Sequence, residues 1–161
     1  MCQIIFRLLV FMKIAFFFES VYPIYNASSI RAHYFIKSFV NLKKDNDNIS
    51  IVTGTSRPES ICEVEIISVF SDKNQKNKAF LRRALSEIWM ASKSIVKIAR
   101  LKPGLLFISS PSYLACIILA LYSQLRKIPY FFEVRDIYPE AYEYAGLLKK
   151  ESWIYNFFSA I

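Results

Sequence analysis

The stretch YFFEVRDIYPE, residues 130–140, decides the fold. Lys127-Ile128-Pro129 turns the chain into it. Residues 130–134 are aromatic and apolar apart from Glu133, and read as a largely buried strand. Arg135, Asp136, Pro139 and Glu140 follow at once. A strand that ends in so dense a polar cluster is either an ordinary exit into solvent or one wall of a site.

The segments on either side choose the architecture. Residues 13–18, KIAFFF, read as a central strand, apolar throughout. A loop over 19–28 leads to the segment SIRAHYFIKSFVNL. There Ala32, Phe35, Ile36, Phe39 and Val40 fall at helical spacing and predict one apolar face, with His33 on the helix surface. Strands are expected over 49–53, closed by Gly54, and over 64–70. A polar loop over 71–78 precedes a long helix from Ala79. Leu81, Ala84, Leu85, Ile88, Ile95, Val96 and Ala99 keep the 3.6-residue period there and predict its core face, with Arg82, Arg83, Glu87, Lys93 and Lys97 away from it. Lys102-Pro103-Gly104 stops that helix. A fourth strand is expected over 105–108, then a helix over 113–122, apolar all round and too short to span a bilayer, so packed in a core. After the strand over 130–134, short helices are expected around 140–144 and from 151 or 152 to the end. Strands alternating with helices predict an α/β fold, a Rossmann-like parallel sheet flanked by helices in one domain over residues 12–161.

Composition narrows function less than fold. The chain has 161 residues, enough for one core, and 54% of them are hydrophobic, which argues against disorder. Its three glycines provide no glycine-rich phosphate loop. Cys2, Cys62 and Cys116 lack C-x-x-C spacing and His33 is the one histidine, so neither a zinc site nor a cofactor is expected. Scattered cysteines in odd number fit a reducing cytosol. Lys and Arg exceed Asp and Glu by 21 to 13, a formal +8. That balance suits an anionic membrane surface or a phosphorylated substrate, and equally an inert solvated face. No nucleic-acid motif accompanies it, so nucleic acid is not an expected partner. The apolar start, residues 1–11, reads as an extension ahead of Met12, with a membrane-anchoring segment as the alternative.

Parallel sheets bind ligands outside the carboxyl ends of their strands. That rule picks out three polar loops, 19–29, 109–112 and 135–140, and with them the candidate binding residues Asn26, Ser28, Arg31, Ser110, Arg135, Asp136 and Glu140. Arg135 presents a fixed cationic fork suited to phosphate, and Asp136 would accept from a sugar hydroxyl. The two equally form a structural ion pair. Glu140 either positions Arg135 or caps the helix after Pro139. Ser109 and Ser110 read as caps for the helix near Pro111. Asn26, Ser28 and Arg31 sit where a helix N-terminus would hold an anion.

The order MKIAFF, a helix carrying Arg31, IVTG, KPGLLFISSP, then IPYFFEVRDIYPE with AGLLKK behind it resembles the N-terminal domain of family-four glycosyltransferases of the GT-B fold. The nearest subgroup is that of bacterial O-antigen, capsule and exopolysaccharide assembly. The resemblance covers about residues 12–161. It implies a retaining transfer of sugar from a nucleotide-sugar donor to a lipid-linked or saccharide acceptor. It also implies a cytoplasmic enzyme, peripheral on the inner face of the plasma membrane. The N-terminal domain forms the acceptor side in that family, and a C-terminal domain with an E-x7-E motif binds most of the donor. Glu143 and Glu151 have that spacing but lie in the acceptor-side half without its glycine context. The chain is therefore expected to be one half of an enzyme, inactive without a separate C-terminal half. Two departures stand out. The loop over 22–29 lacks the family's glycine pair, and Arg135 stands near where many relatives carry histidine.

Overall fold

The computed structural model describes residues 13–42, 48–61, 64–69, 80–110, 112–135, 140–144, 146, 150–152 and 155–156. The extension over 1–11, the loop over 71–78, Asp136 and most of the final helix lie outside the described residues. The elements in chain order are β1 (Lys13–Phe18), α1 (Ala27–Leu42), β2 (Asn48–Thr53), β3 (Glu65–Ser68), α2 (Phe80–Leu101), β4 (Leu105–Ser109), α3 (Tyr113–Leu125), β5 (Tyr130–Glu133) and α4 (Glu140–Tyr144). The five strands form one sheet in the order β3-β2-β1-β4-β5, every neighbouring pair parallel. This is the expected α/β architecture with a Rossmann-like parallel sheet.

Handedness puts the helices on opposite faces. The crossover from β1 to β2 runs one way across the sheet, and those from β3 to β4 and β4 to β5 run the other. Right-handed connections therefore carry α1 to one face and α2 and α3 to the other. Alternation along β1 divides the core accordingly. Ile14, Phe16 and Phe18 join Ala32 and Ile36 of α1 in one cluster. Ala15 and Phe17 join Met90, Ala91, Ile98, Ala115, Cys116 and Leu119 in the other. His33 and Cys116 thus belong to helices on opposite faces and form no nucleophilic pair.

The α1 face is as expected: Ala32 and Ile36 are buried, with Phe35, Phe39 and Val40 packed against the core. Helix α2 is not. Most of its expected core stripe turns outward: Leu81, Leu85, Ile88, Val96 and Ala99 are exposed, while Ile95 packs against the core as expected. The buried side holds Glu87, Met90, Ala91, Ser94 and Ile98 instead. Two of these are small, which lets the helix approach the sheet and α3 closely. Periodicity weights bulk apolarity and points at the wider stripe. Helix α3 likewise buries one side, Ala115, Cys116, Leu119 and Ser123, and leaves Leu121 and Leu125 exposed.

One close approach fixes β2 against this layer. A Cβ on Gly54 would lie 2.7 Å from the Glu19 carbonyl oxygen and 2.8 Å from Met90 Sδ. Since a backbone atom is one of the two, relief requires moving the loop after β1. Gly54→Ala is expected to lower the free energy of urea unfolding by about 2 kcal/mol, as overpacking does. An unchanged midpoint would show that the loop yields freely.

Candidate functional site

Because all strands are parallel, Phe18, Thr53, Ser68, Ser109 and Glu133 end on one edge. The loops that follow them meet there through side chains from distant parts of the sequence. Register sets Ser109 beside Glu133, and the Ser109 hydroxyl donates to Glu133 Oε2 at 2.6 Å. Such a short bond to a carboxylate is charge-assisted. Glu133 Oε1 takes Arg31 Nη1 of α1 at 3.4 Å. That pair is largely solvated and contributes well under about 1 kcal/mol. It nevertheless leaves a cation standing over the end of β5.

Arg135 is tied down by its backbone. Its N–H donates to Ser110 Oγ at 2.9 Å, and its Nη1 donates to the Ser110 carbonyl at 3.4 Å. Ser110 N–H in turn donates to the Glu133 carbonyl at 3.2 Å. Ser109 and Ser110, both buried, therefore latch β4 to the exit of β5. The expectation that they cap the next helix is overturned, since the cap position belongs to Ser112, whose side chain makes no capping bond.

At the start of α1, Asn26 acts as the cap. Its Oδ1 accepts the Ser29 N–H at 2.8 Å, while Ser29 Oγ accepts the Asn26 N–H at 3.1 Å. This reciprocal pair uses donors that an anion would otherwise take. Asn26 also exchanges a hydrogen bond with Ser20. Ser28 lies half-buried in the first turn. Asn26→Ala is expected to lower stability by about 1 kcal/mol in urea unfolding, whereas a loss near zero would mean that Ser29 holds the turn alone.

Of the seven expected residues, Arg31, Ser110 and Arg135 are brought together by direct contacts around Glu133. Asn26 and Ser28 stand at the same edge, at the entry to α1. Asp136 is outside the described residues. Glu140 opens α4, and its Oε2 is buried without a hydrogen-bond partner among the described residues.

Sequence reasoning missed Glu133 as the hub of the cluster, although a lone carboxylate closing an apolar strand was the available signal. It also missed Glu87, the single carboxylate of α2. Glu87 is 1% exposed. Its Oε1 pairs with Arg83 Nε at 3.1 Å and its Oε2 accepts the Leu114 N–H at 3.0 Å. The carboxylate thus caps α3 from a neighbouring helix, at the favourable end of the helix dipole. Burial, together with Glu87 and Glu19, pushes the Cys116 thiol well up, so it stays protonated and inert as a nucleophile.

The arrangement suits binding. It presents two guanidinium groups and a carboxylate on a rigid sheet edge held by two buried serines, a set that grips phosphate and hydroxyl groups. A shallow recess lined by Lys13, Asn48, Ser50, Glu65 and Arg100 lies at the opposite, amino edge. Among the described residues no cluster of His, Cys, Asp and Glu is able to hold a metal ion. No protein-family profile matches the chain, and no curated protein matches it.

Proposed function

We propose that the chain is the acceptor-side half of a retaining glycosyltransferase of the GT-B type. It transfers a sugar from a nucleotide-sugar to a lipid-linked acceptor in bacterial surface polysaccharide synthesis. The observation that supports this reading is the meeting of Arg31, Ser109 and Ser110 with Glu133 and Arg135, the first residues of the stretch EVRDIYPE, at the carboxyl edge of an all-parallel sheet. In this reading Arg135 faces phosphate or the charge that develops on a leaving group. Asp136 and Glu140 follow Arg135 in the same stretch of sequence. In this reading donor binding belongs to a C-terminal domain, and the work takes place at the cytoplasmic face of the plasma membrane.

The test is transfer of labelled sugar from a panel of nucleotide-sugars to membrane lipid extract. The expected result is no transfer by residues 1–161 alone and transfer when a C-terminal half carrying the E-x7-E motif is added. Full activity of the chain alone overturns the reading.

A second reading, a non-catalytic α/β module bound to a membrane surface, is favoured by the exposed apolar face of α2. It predicts that Arg135→Ala leaves transfer in the reconstituted mixture untouched.

A further inference from the structure

We propose that the outward face of α2 is a docking surface for an anionic membrane, with the helix lying flat on the lipid headgroups. At 100° per residue, Ile88, Leu81, Leu85, Val96 and Trp89 fall within an arc of about 100°. Leu81 is 72% exposed, Leu85 66% and Trp89 57%. The next part of the helix surface is a row of cations, Arg82, Arg100, Lys93 and Lys97. Lys93 Nζ lies 4.9 Å over the ring of Trp89, so the tryptophan stands on the boundary between apolar stripe and cationic row.

Charge selects the occupant. Helix α2 carries five cations and one carboxylate, and that carboxylate is the buried Glu87. Helix α3, beside it, carries no carboxylate and also exposes Leu121 and Leu125. The outer layer on this face of the sheet therefore offers apolar side chains and cations with no exposed acid on either helix. An apolar stripe edged by Lys and Arg with an interfacial Trp is the pattern of a helix that lies in a lipid surface. A protein partner of mixed charge would call for mixed charge here. Helix α2 is 22 residues, about 33 Å long. No helix of the described residues is long and apolar enough to cross a membrane, so the contact is lateral.

This inference deepens the membrane part of the proposed function and rests on it only for the reason such a contact is useful, which is to bring the sheet edge near a lipid-linked acceptor. Its test needs no sugar transfer, so the two fail separately. The full chain is sedimented with vesicles of phosphatidylcholine alone and of phosphatidylcholine mixed with phosphatidylglycerol. Binding is expected for the mixed vesicles only, falling as salt screens the attraction. The triple variant Arg82→Gln, Lys93→Gln, Arg100→Gln is expected to weaken it about a hundredfold, at roughly fivefold per cation. The double variant Leu85→Gln, Val96→Gln is expected to weaken it at least ~10-fold. Circular dichroism checks folding, and if the double variant fails to fold the triple variant carries the test. Equal binding to both vesicles, no binding, or binding that neither variant changes overturns the proposal. So does a dimer in light scattering that becomes a monomer in the double variant, which would make a second copy the occupant.

Discussion

Replacing Glu87 with alanine is expected to lower the unfolding free energy by about 3 kcal/mol, because it removes a buried carboxylate that joins two helices and leaves the donor at the start of α3 without its acceptor. The Leu114 N–H loses its acceptor, and the Arg83 guanidinium loses its bond to Glu87. Arg83 retains some access to solvent, which holds the loss below that of a fully enclosed pair. Glu87→Gln keeps an acceptor for Leu114 and is expected to cost less. Burial raises the Glu87 carboxyl above its ordinary range, against the opposing bond and charge of Arg83, and Glu19 adds to the rise. The folded chain therefore holds a proton that the unfolded chain releases at its ordinary value of about 4.3. Stability from this group is complete below that value and is lost as pH rises through the raised folded value. Urea unfolding across this range should show wild type losing ground against Glu87→Gln as pH increases. A gap that widens in favour of wild type would contradict the assignment.

Phe16→Ala is expected to cost about 4 kcal/mol, the usual range for truncating an enclosed phenylalanine. Phe16 is fully buried at the centre of β1. Its ring centroid lies 5.3 Å from that of Phe39, 5.5 Å from Phe107, 6.0 Å from Phe18 and 6.1 Å from Phe35. Edge-to-face and tilted pairs of this kind add to area burial. A cavity among four rings collapses poorly, since each ring is held by others: Phe35 also packs on Phe39 at 5.0 Å and on Phe107 at 4.8 Å. Phe16→Leu should recover much of the loss. A cost below about 1.5 kcal/mol for the alanine variant would mean that the cluster repacks.

The sheet was legible in the sequence because central parallel strands are apolar on both faces. KIAFFF stood out between polar turns, and β1 spans Lys13–Phe18 as read. The run into Val134 stood out in the same way but was misread as largely buried: β5 is an edge strand, and Phe131 and Val134 are exposed. The face of α2 was not legible. Its buried side relies on Ala91, Ser94 and an ion-paired Glu87, none of which adds to an apolar stripe. Its outward leucines imitate a core face. The carboxyl edge followed from topology, because parallel strands deliver their exits to one side. The bonding within it did not. That Ser110 would accept from Arg135, and that Glu133 would collect both Ser109 and Arg31, depends on the register between β4 and β5, which single-strand patterns do not encode.

The central claim is that chemistry takes place at the carboxyl edge of the sheet. It is tested most directly by labelled-sugar transfer in the mixture of this chain with a C-terminal half, comparing Arg135→Ala with Lys13→Ala at the opposite edge. Transfer should fall about a hundredfold for Arg135→Ala, the usual loss for a group that stabilises developing charge, and stay at the wild-type rate for Lys13→Ala. An undiminished rate for Arg135→Ala, or an equal loss for Lys13→Ala, would contradict it.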